Sequence, residues 1–333
     1  MVESFLDYVR STYCPGWDCS MMWCHALLCL GLCSKKSDSY SSIELPTTAF
    51  PWSEYGCGCH DILNLTVDDI LKIKNYAGPY IRTDVPFWEI GEQNFTRADQ
   101  FIELVTKAQG IPVIVVRGWT DTLGVDKSDI KMTANMSREV RDEACLNLSY
   151  RLADRYRDKN VIFEGWNEPD HDSTTEGFHV STGEDRWSAL VSHLIAFGKG
   201  IRKANGITAF APFMTLNETK CDRVEDVWRQ THEYFDYFSF HYYDDDVDKI
   251  YYYCKKFGDI VGSRSTICTE YGSQDTKDLT YYRKAAYAIK KGFTNFKSVI
   301  LYVYDVNDDT SHKEKWEMRD RDLLWNVTHD SKP

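Results

Sequence analysis

The sequence predicts an α/β protein of the (β/α)8, or TIM-barrel, class, and three observations carry that reading. Short apolar runs alternate with amphipathic stretches from about residue 43 onward. They give eight strand candidates over about 260 residues, close to the length such a barrel takes. Polar residues collect at the C-terminal ends of the runs, where barrels of this class carry their chemistry. Strict alternation also implies right-handed crossovers and a parallel sheet. The rival arrangement, an open doubly wound sheet around a nucleotide, calls for a Gly-rich strand-to-helix turn. The chain has no G-x-G-x-x-G or Walker sequence, and "GCG" at 56–58 stands in no such setting.

Taken in order, the first strand is placed at "IELPTTAF" (43–50). The second and third are "YIRTDV" (80–85) and "IPVIVVRG" (111–118), joined by the amphipathic "RADQFIELVTKAQG" (97–110). A second helix, "SREVRDEACLNLSYRLADRYRD" (137–158), leads to "VIFEGW" (161–166). There Val161, Ile162 and Phe163 form a run without a polar face, as a strand covered on both sides requires. The helix "EDRWSALVSHLIAFGKGIRKA" (184–204) precedes the fifth strand, "ITAFAPF" (207–213). "FDYFSFHYY" (235–243) and "STICTEYG" (265–272) are the sixth and seventh. "YYRKAAYAIKKGF" (281–293) is the helix before the eighth, "SVILYVYD" (298–305).

Residues 1–42 stand apart from this pattern. "MMWCHALLCLGLC" (21–33) is too short an apolar run to span a bilayer and about right for a signal-peptide core. The residues before it lack a basic region, carrying Glu3, Asp7 and Asp18 against Arg10. Two readings stand: translation starting at Met21 or Met22 gives a poor, atypical signal peptide, or the segment is a non-native leader. "SKKSDSYSS" (34–42) reads as a polar linker, leaving 43–333 as a single domain.

Composition narrows the partners. A hydrophobic fraction of 43% supplies a sizeable core, and a net charge of −12 argues against nucleic acid or an anionic membrane. Asn-x-Ser/Thr sequons at Asn64, Asn94, Asn135, Asn147, Asn217 and Asn326 favour a secreted or lumenal glycoprotein, with a cytoplasmic protein as the alternative. The 11 Cys are compatible with an oxidising compartment. Cys57, Cys59 and His60 crowd too closely for a zinc site, and neither metal nor cofactor is expected.

The fourth strand ends on Asn167 and Glu168, with Pro169 holding the chain out of a helix at once. A carboxylate at the lip of a buried strand is costly unless it is hydrogen-bonded or used. Glu270 closes the seventh strand in the same way, three βα units later, so both acids reach one face from opposite sides of the barrel. Such a pair suits cleavage of a glycosidic bond. One carboxyl, protonated, helps the leaving oxygen depart; the other, ionised, attacks the anomeric carbon. Two carboxylates about 5.5 Å apart, at an effective dielectric of about 20, repel by about 3 kcal/mol, which favours one of the two being protonated.

Asn-Glu-Pro closing strand four, with "TEYG" closing strand seven, resembles clan A of the retaining glycoside hydrolases. "FEGWNEPD" and "ICTEYG" look most like family 39, with family 5 the runner-up; "VRGWTD" at the third strand lacks the His that many family 5 members place there. The resemblance implies Glu168 as acid/base, Glu270 as nucleophile and Asn167 on the 2-hydroxyl of the reacting sugar. "YIRTDVPFW" resembles the family's second strand, which implies that Arg82 supports the nucleophile. "SFHYY" resembles the sixth, which places His241 and Tyr243 beside it. Trp88 is a candidate sugar platform, while Trp119 and Trp166 read as either platforms or packing. Tyr304 stands where many relatives carry a Trp beneath the sugar, a departure that bears on substrate fit. "DLLWNVTHDSKP" resembles the family's closing stretch, and the stop at Pro333 implies an incomplete last helix. The expected partner is a carbohydrate substrate. Two alternatives stay open: a non-catalytic carbohydrate-binding barrel, and a barrel of unrelated chemistry that carries two acids.

Overall fold

The structure is a computed structural model that describes residues 44–48, 51–59, 62–119, 132–172, 177–217, 220–244, 246–272, 279–301 and 329. The leader, the linker, Tyr304, Asn326 and most of the closing stretch lie outside the described residues.

Eight parallel strands close into a barrel in chain order. They are β1 (Tyr55–Gly58), β2 (Tyr80–Pro86), β3 (Ile111–Arg117), β4 (Ile162–Gly165), β5 (Ile207–Ala209), β6 (Tyr237–Tyr243), β7 (Ser265–Gly272) and β8 (Phe296–Leu301). Closure is made by β1 on β8, with Tyr55 opposite Val299 and Cys57 opposite Leu301. The helices are α1 (Val67–Ala77), α2 (Phe87–Gly91), α3 (Thr96–Lys107), α4 (Arg138–Arg155), α5 (Arg186–Lys203), α6 (Cys221–Thr231), α7 (Val247–Val261) and α8 (Leu279–Gly292). The (β/α)8 class read from the sequence is the class observed.

The first strand is a correction: it lies at Tyr55–Gly58, not at 43–50. Pro46 in the expected segment has no N–H to give a ladder. The observed strand, "YGCG", hides because glycine has little strand propensity. Yet glycine is needed at Gly56, where a Cβ would sit 2.3 Å from the Tyr80 carbonyl oxygen across the β1–β2 pair. The fifth strand is also shorter than expected, ending at Ala209. Four helices, α1, α2, α6 and α7, are not among those read from the sequence. α7, "VDKIYYYCKKFGDIV", carries β-branched and aromatic residues of middling helix propensity, and its apolar face shows only once Ile250, Tyr253, Cys254 and Phe257 are buried.

Two apolar layers result. A small cluster of Val113, Ile162, Ala209, Ile267 and Ile300 fills the barrel interior, with Tyr80 and Tyr237 packed against it. A larger one fills the space between strands and helices. Cys145, Cys254 and Cys268 belong to this outer layer as buried thiols outside any disulfide. Of the sequons, Asn64, Asn94 and Asn135 are exposed, while Asn147 and Asn217 are half-buried.

α5 lies close against β4. A Cβ on Gly165 would stand 2.9 Å from Phe197 Cδ1 and 3.3 Å from Leu194 Cδ2, so the helix approaches where the strand has no side chain. Gly165→Val is therefore expected to destabilise the protein by about 1–3 kcal/mol through overpacking. Urea unfolding of the variant beside the wild type measures it, and an unchanged midpoint would show that α5 yields without cost.

Candidate active site

Strand alternation sets which residues face the barrel axis. On β2, Arg82 follows Tyr80 on the inner face; on β4, Glu164 follows Ile162; on β6, His241 and Tyr243 continue the row that starts at Tyr237. The lower members of these rows form the apolar filling. The upper members replace it with charge.

Glu270 breaks the alternation. Ile267 faces inward, so an unbroken strand would turn residue 270 outward. The β6–β7 register instead steps from Phe240 opposite Cys268 to His241 opposite Glu270, one extra residue on β7. This bulge re-aims Glu270 to the inner face, as bulges beside functional sites do. The end of β4 is irregular too. Trp166 has φ of 76° and Glu168 φ of 42°, both in the left-handed region that side chains other than glycine rarely adopt. The backbone is held there from both flanks, by Trp166 N donating to Val116 O (2.8 Å) and Glu168 N donating to Pro212 O (2.9 Å).

Arg82 is the hub of the cluster and is buried. Its Nε donates to Glu164 Oε2 (2.8 Å), its Nη1 to Glu270 Oε1 (2.5 Å) and its Nη2 to Asn167 Oδ1 (2.8 Å). Burial opposes its charge, but the charges and hydrogen bonds of Glu164 and Glu270 outweigh that and raise its pKa. Glu270 is the mirror case. Burial pushes its pKa up; the charges of His241 and Arg82, with hydrogen bonds from Tyr243 Oη and Arg82, pull it net below the usual carboxylate range. Glu270 is thus held ionised.

His241 is fully buried and stands between the two acids. Its Nδ1 lies 2.8 Å from Glu168 Oε1, and its Nε2 lies 3.6 Å from Glu270 Oε1. Single donor atoms of Glu168, His241 and Glu270 fall within 4.8 Å of one another. Among the described residues this is the one group of His, Cys, Asp and Glu compact enough to hold a cation.

Six of the residues singled out in the sequence therefore meet in one place: Arg82, Asn167, Glu168, His241, Tyr243 and Glu270. Trp88 is half-buried on α2, and no side-chain hydrogen bond or ring contact ties it to the cluster among the described residues. Trp119 and Trp166 are buried and serve as packing. Glu164 escapes the sequence reading. It is fully buried, a charge within the apolar part of "FEGWNEPD" ahead of the polar strand end, and its signal is only that a buried carboxylate demands a partner, which Arg82 supplies.

No protein-family model matches the chain, and no curated protein matches it in sequence. Solved structures do match. A family 39 glycoside hydrolase from Bacteroides cellulosilyticus aligns with a TM-score of 0.57 at 16% identity, over 86% of this chain and 65% of its own. This chain thus spans slightly under two thirds of that protein's length. A family 5 xyloglucanase from Paenibacillus pabuli aligns with a TM-score of 0.57 at 13% identity, over 83% and 98% of the two chains. An enzyme of Thermotoga maritima, solved with cellobiose, gives 0.54 at 14% identity over 83% and 96%. At these identities the likeness establishes the fold alone, the (β/α)8 barrel.

The electrostatics make a prediction about stability. Arg82→Met strands Glu164 and Glu270 without their cation and is expected to cost about 3–5 kcal/mol. Glu270→Gln tests the sign with pH. A carboxyl whose folded pKa is depressed stabilises fully above its unfolded pKa, about 4.3, and that contribution is lost as pH falls through the folded value. The gap in unfolding free energy between wild type and Glu270→Gln should be widest above about pH 5 and close as pH falls. Urea titrations across pH read it, and a gap that widens in acid would contradict the assignment.

Proposed function

We propose that this chain is a retaining O-glycoside hydrolase, with Glu168 as acid/base and Glu270 as nucleophile. The observation that carries the proposal is the closeness of the two acids: donor oxygens within 4.8 Å, delivered by opposite strands to one mouth of the barrel. A retaining pair stands about 5–5.5 Å apart, whereas an inverting pair leaves about 6.5–9.5 Å for a water. The likeness to glycoside hydrolase structures supports the same reaction class.

Each neighbour then has a task. Glu270, kept ionised by Arg82, Tyr243 and His241, attacks the anomeric carbon and forms a glycosyl ester, while Glu168 gives its proton to the departing oxygen. Glu168, now ionised, takes a proton from the water that cleaves the ester. Arg82 can only donate, so its bond to Asn167 Oδ1 fixes that amide and leaves Nδ2 as a donor for the sugar's 2-hydroxyl. Esterification neutralises Glu270 and loosens its pairing with Arg82; the second step restores it. A metal has no task in this sequence, since Arg82 already supplies the positive charge at Glu270. The substrate class is an oligo- or polysaccharide or glycoconjugate, and a panel of aryl β-glycosides and polysaccharides identifies the sugar.

Substitutions separate the two roles. Glu168→Ala should lose about 10²–10⁴-fold on substrates with poor leaving groups, the range that positioned acid catalysis supplies. On a good aryl leaving group its first step survives and the intermediate accumulates. Added azide, which needs no base, then restores turnover and gives a glycosyl azide of retained configuration. Glu270→Ala fails on every substrate, and any rescue gives the inverted azide. Both variants matching the wild type on a substrate it cleaves would end the proposal, and binding without turnover by the wild type would favour a carbohydrate-binding barrel.

A further inference from the structure

We infer that Trp166, held in the left-handed region by an aromatic cage, is the positioning residue that turns Asn167 into the barrel and, with the second left-handed step at Glu168 itself, sets the Glu168 carboxyl against His241; the inference rests on the glycosidase proposal for its kinetic consequence. Ile162 and Glu164 face the axis, and Gly165 faces α5. In a regular strand Trp166 would then face inward and Asn167 outward, under the helices. The observed order is the reverse. Trp166 is fully buried in the outer layer, and Asn167 reaches Arg82 in the barrel mouth. The positive φ of Trp166 is the step at which the chain crosses from one face to the other.

A bulky residue does not adopt that conformation without something to hold it. Here the indole is gripped by three rings from three separate segments. Trp119, past the end of β3, lies 4.9 Å away centroid to centroid. Phe178, from the connection after β4, lies at 4.9 Å and meets it edge-on. His193 of α5 lies at 5.3 Å with its ring at 89° to the indole. Phe87 of α2 closes behind His193 at 5.8 Å. Burial first, and then the charge of Arg141, push His193 down to about 3, so it forms a neutral wall of the cage at working pH. The connection is tied back as well, by Phe178 N donating to Pro169 O (3.1 Å). The indole is therefore an anchor outside the barrel whose effect is exerted inside it, two residues on, at a carboxyl 2.8 Å from His241 Nδ1.

The test separates the ring from the backbone. Trp166→Gly keeps a residue at ease with positive φ but removes the anchor; Trp166→Phe keeps an aromatic anchor. On an aryl glycoside with a poor leaving group, Trp166→Gly is expected to lose about 100-fold in kcat, the scale of a misplacement of about 1 Å. On a good leaving group it should lose far less, and KM should stay within about threefold, because acid catalysis and not binding is displaced. Trp166→Phe should stay within about tenfold of the wild type on both substrates. A residue that only stabilised the fold would lower both rates alike. Where the glycine variant does not fold, His193→Leu, which removes one wall of the cage, should show the same steepened leaving-group dependence to a lesser degree. Crystal structures of the variants read the outcome without substrate: Glu168 should leave His241 Nδ1 in the glycine variant and keep it in the phenylalanine one. A glycine variant that keeps both that contact and the wild-type leaving-group dependence would overturn the inference. A wild type that cleaves no glycoside would instead refute the proposed function, and the Glu168–His241 distance would still decide the role of Trp166.

Discussion

A guanidinium buried inside a barrel must be compensated, and the upper half of this barrel is organised around that need. Arg82 spreads its donors over Glu164, Glu270 and Asn167, which sit on or just past β4 and β7. One ion-pair group thus ties three strands together where the apolar filling ends. The lower interior of Val113, Ile162, Ala209, Ile267 and Ile300 needs no such device. The cost of taking Arg82 from water is met only while both acids are ionised, and the downward pull on the Glu270 pKa is the other side of that arrangement. Fold stability and the state of the proposed nucleophile are therefore one electrostatic problem.

Departures from regular strand geometry complete the site. The extra residue in β7 turns Glu270 to the axis, and the left-handed backbone at Trp166 does the same for Asn167, with a second left-handed step at Glu168 setting the direction of that carboxyl. They lie at the C-terminal ends of strands, on opposite sides of the barrel. Such strain persists only where surrounding structure over-determines it. On β4 the aromatic rings and the two backbone hydrogen bonds do so; on β7 the ladders to β6 and β8 shift register together.

These departures mark where the sequence was legible and where it was not. Alternation of apolar runs and amphipathic stretches is enough to name the barrel, because each βα unit repeats the same burial problem. Asn167, Glu168 and Glu270 are legible as polar groups ending apolar strands. Arg82, His241 and Tyr243 are legible through their setting within the resemblance. β1 was hidden by its glycines, which have no side chain to register a pattern though close strand approach requires one of them. Glu164 was hidden in mid-strand, since its partner lies 82 residues away and only folding brings them together. The bulge and the left-handed step have no pattern of their own; "CTEYG" and "GWNEP" read as regular strand ends. Trp88, half-buried on α2, stays a candidate platform whose role its setting in the sequence alone suggests.

In the proposed reaction Glu270 becomes covalently bonded to the sugar while Glu168 manages the proton. The most direct test is mass spectrometry of the protein after incubation with a 2-deoxy-2-fluoro aryl glycoside of the sugar it cleaves, a substrate that forms the ester faster than water removes it. One added glycosyl unit is expected on the peptide containing Glu270, and none in Glu270→Gln. Turnover of the parent glycoside with no adduct, or with an adduct on Glu168, would contradict these roles.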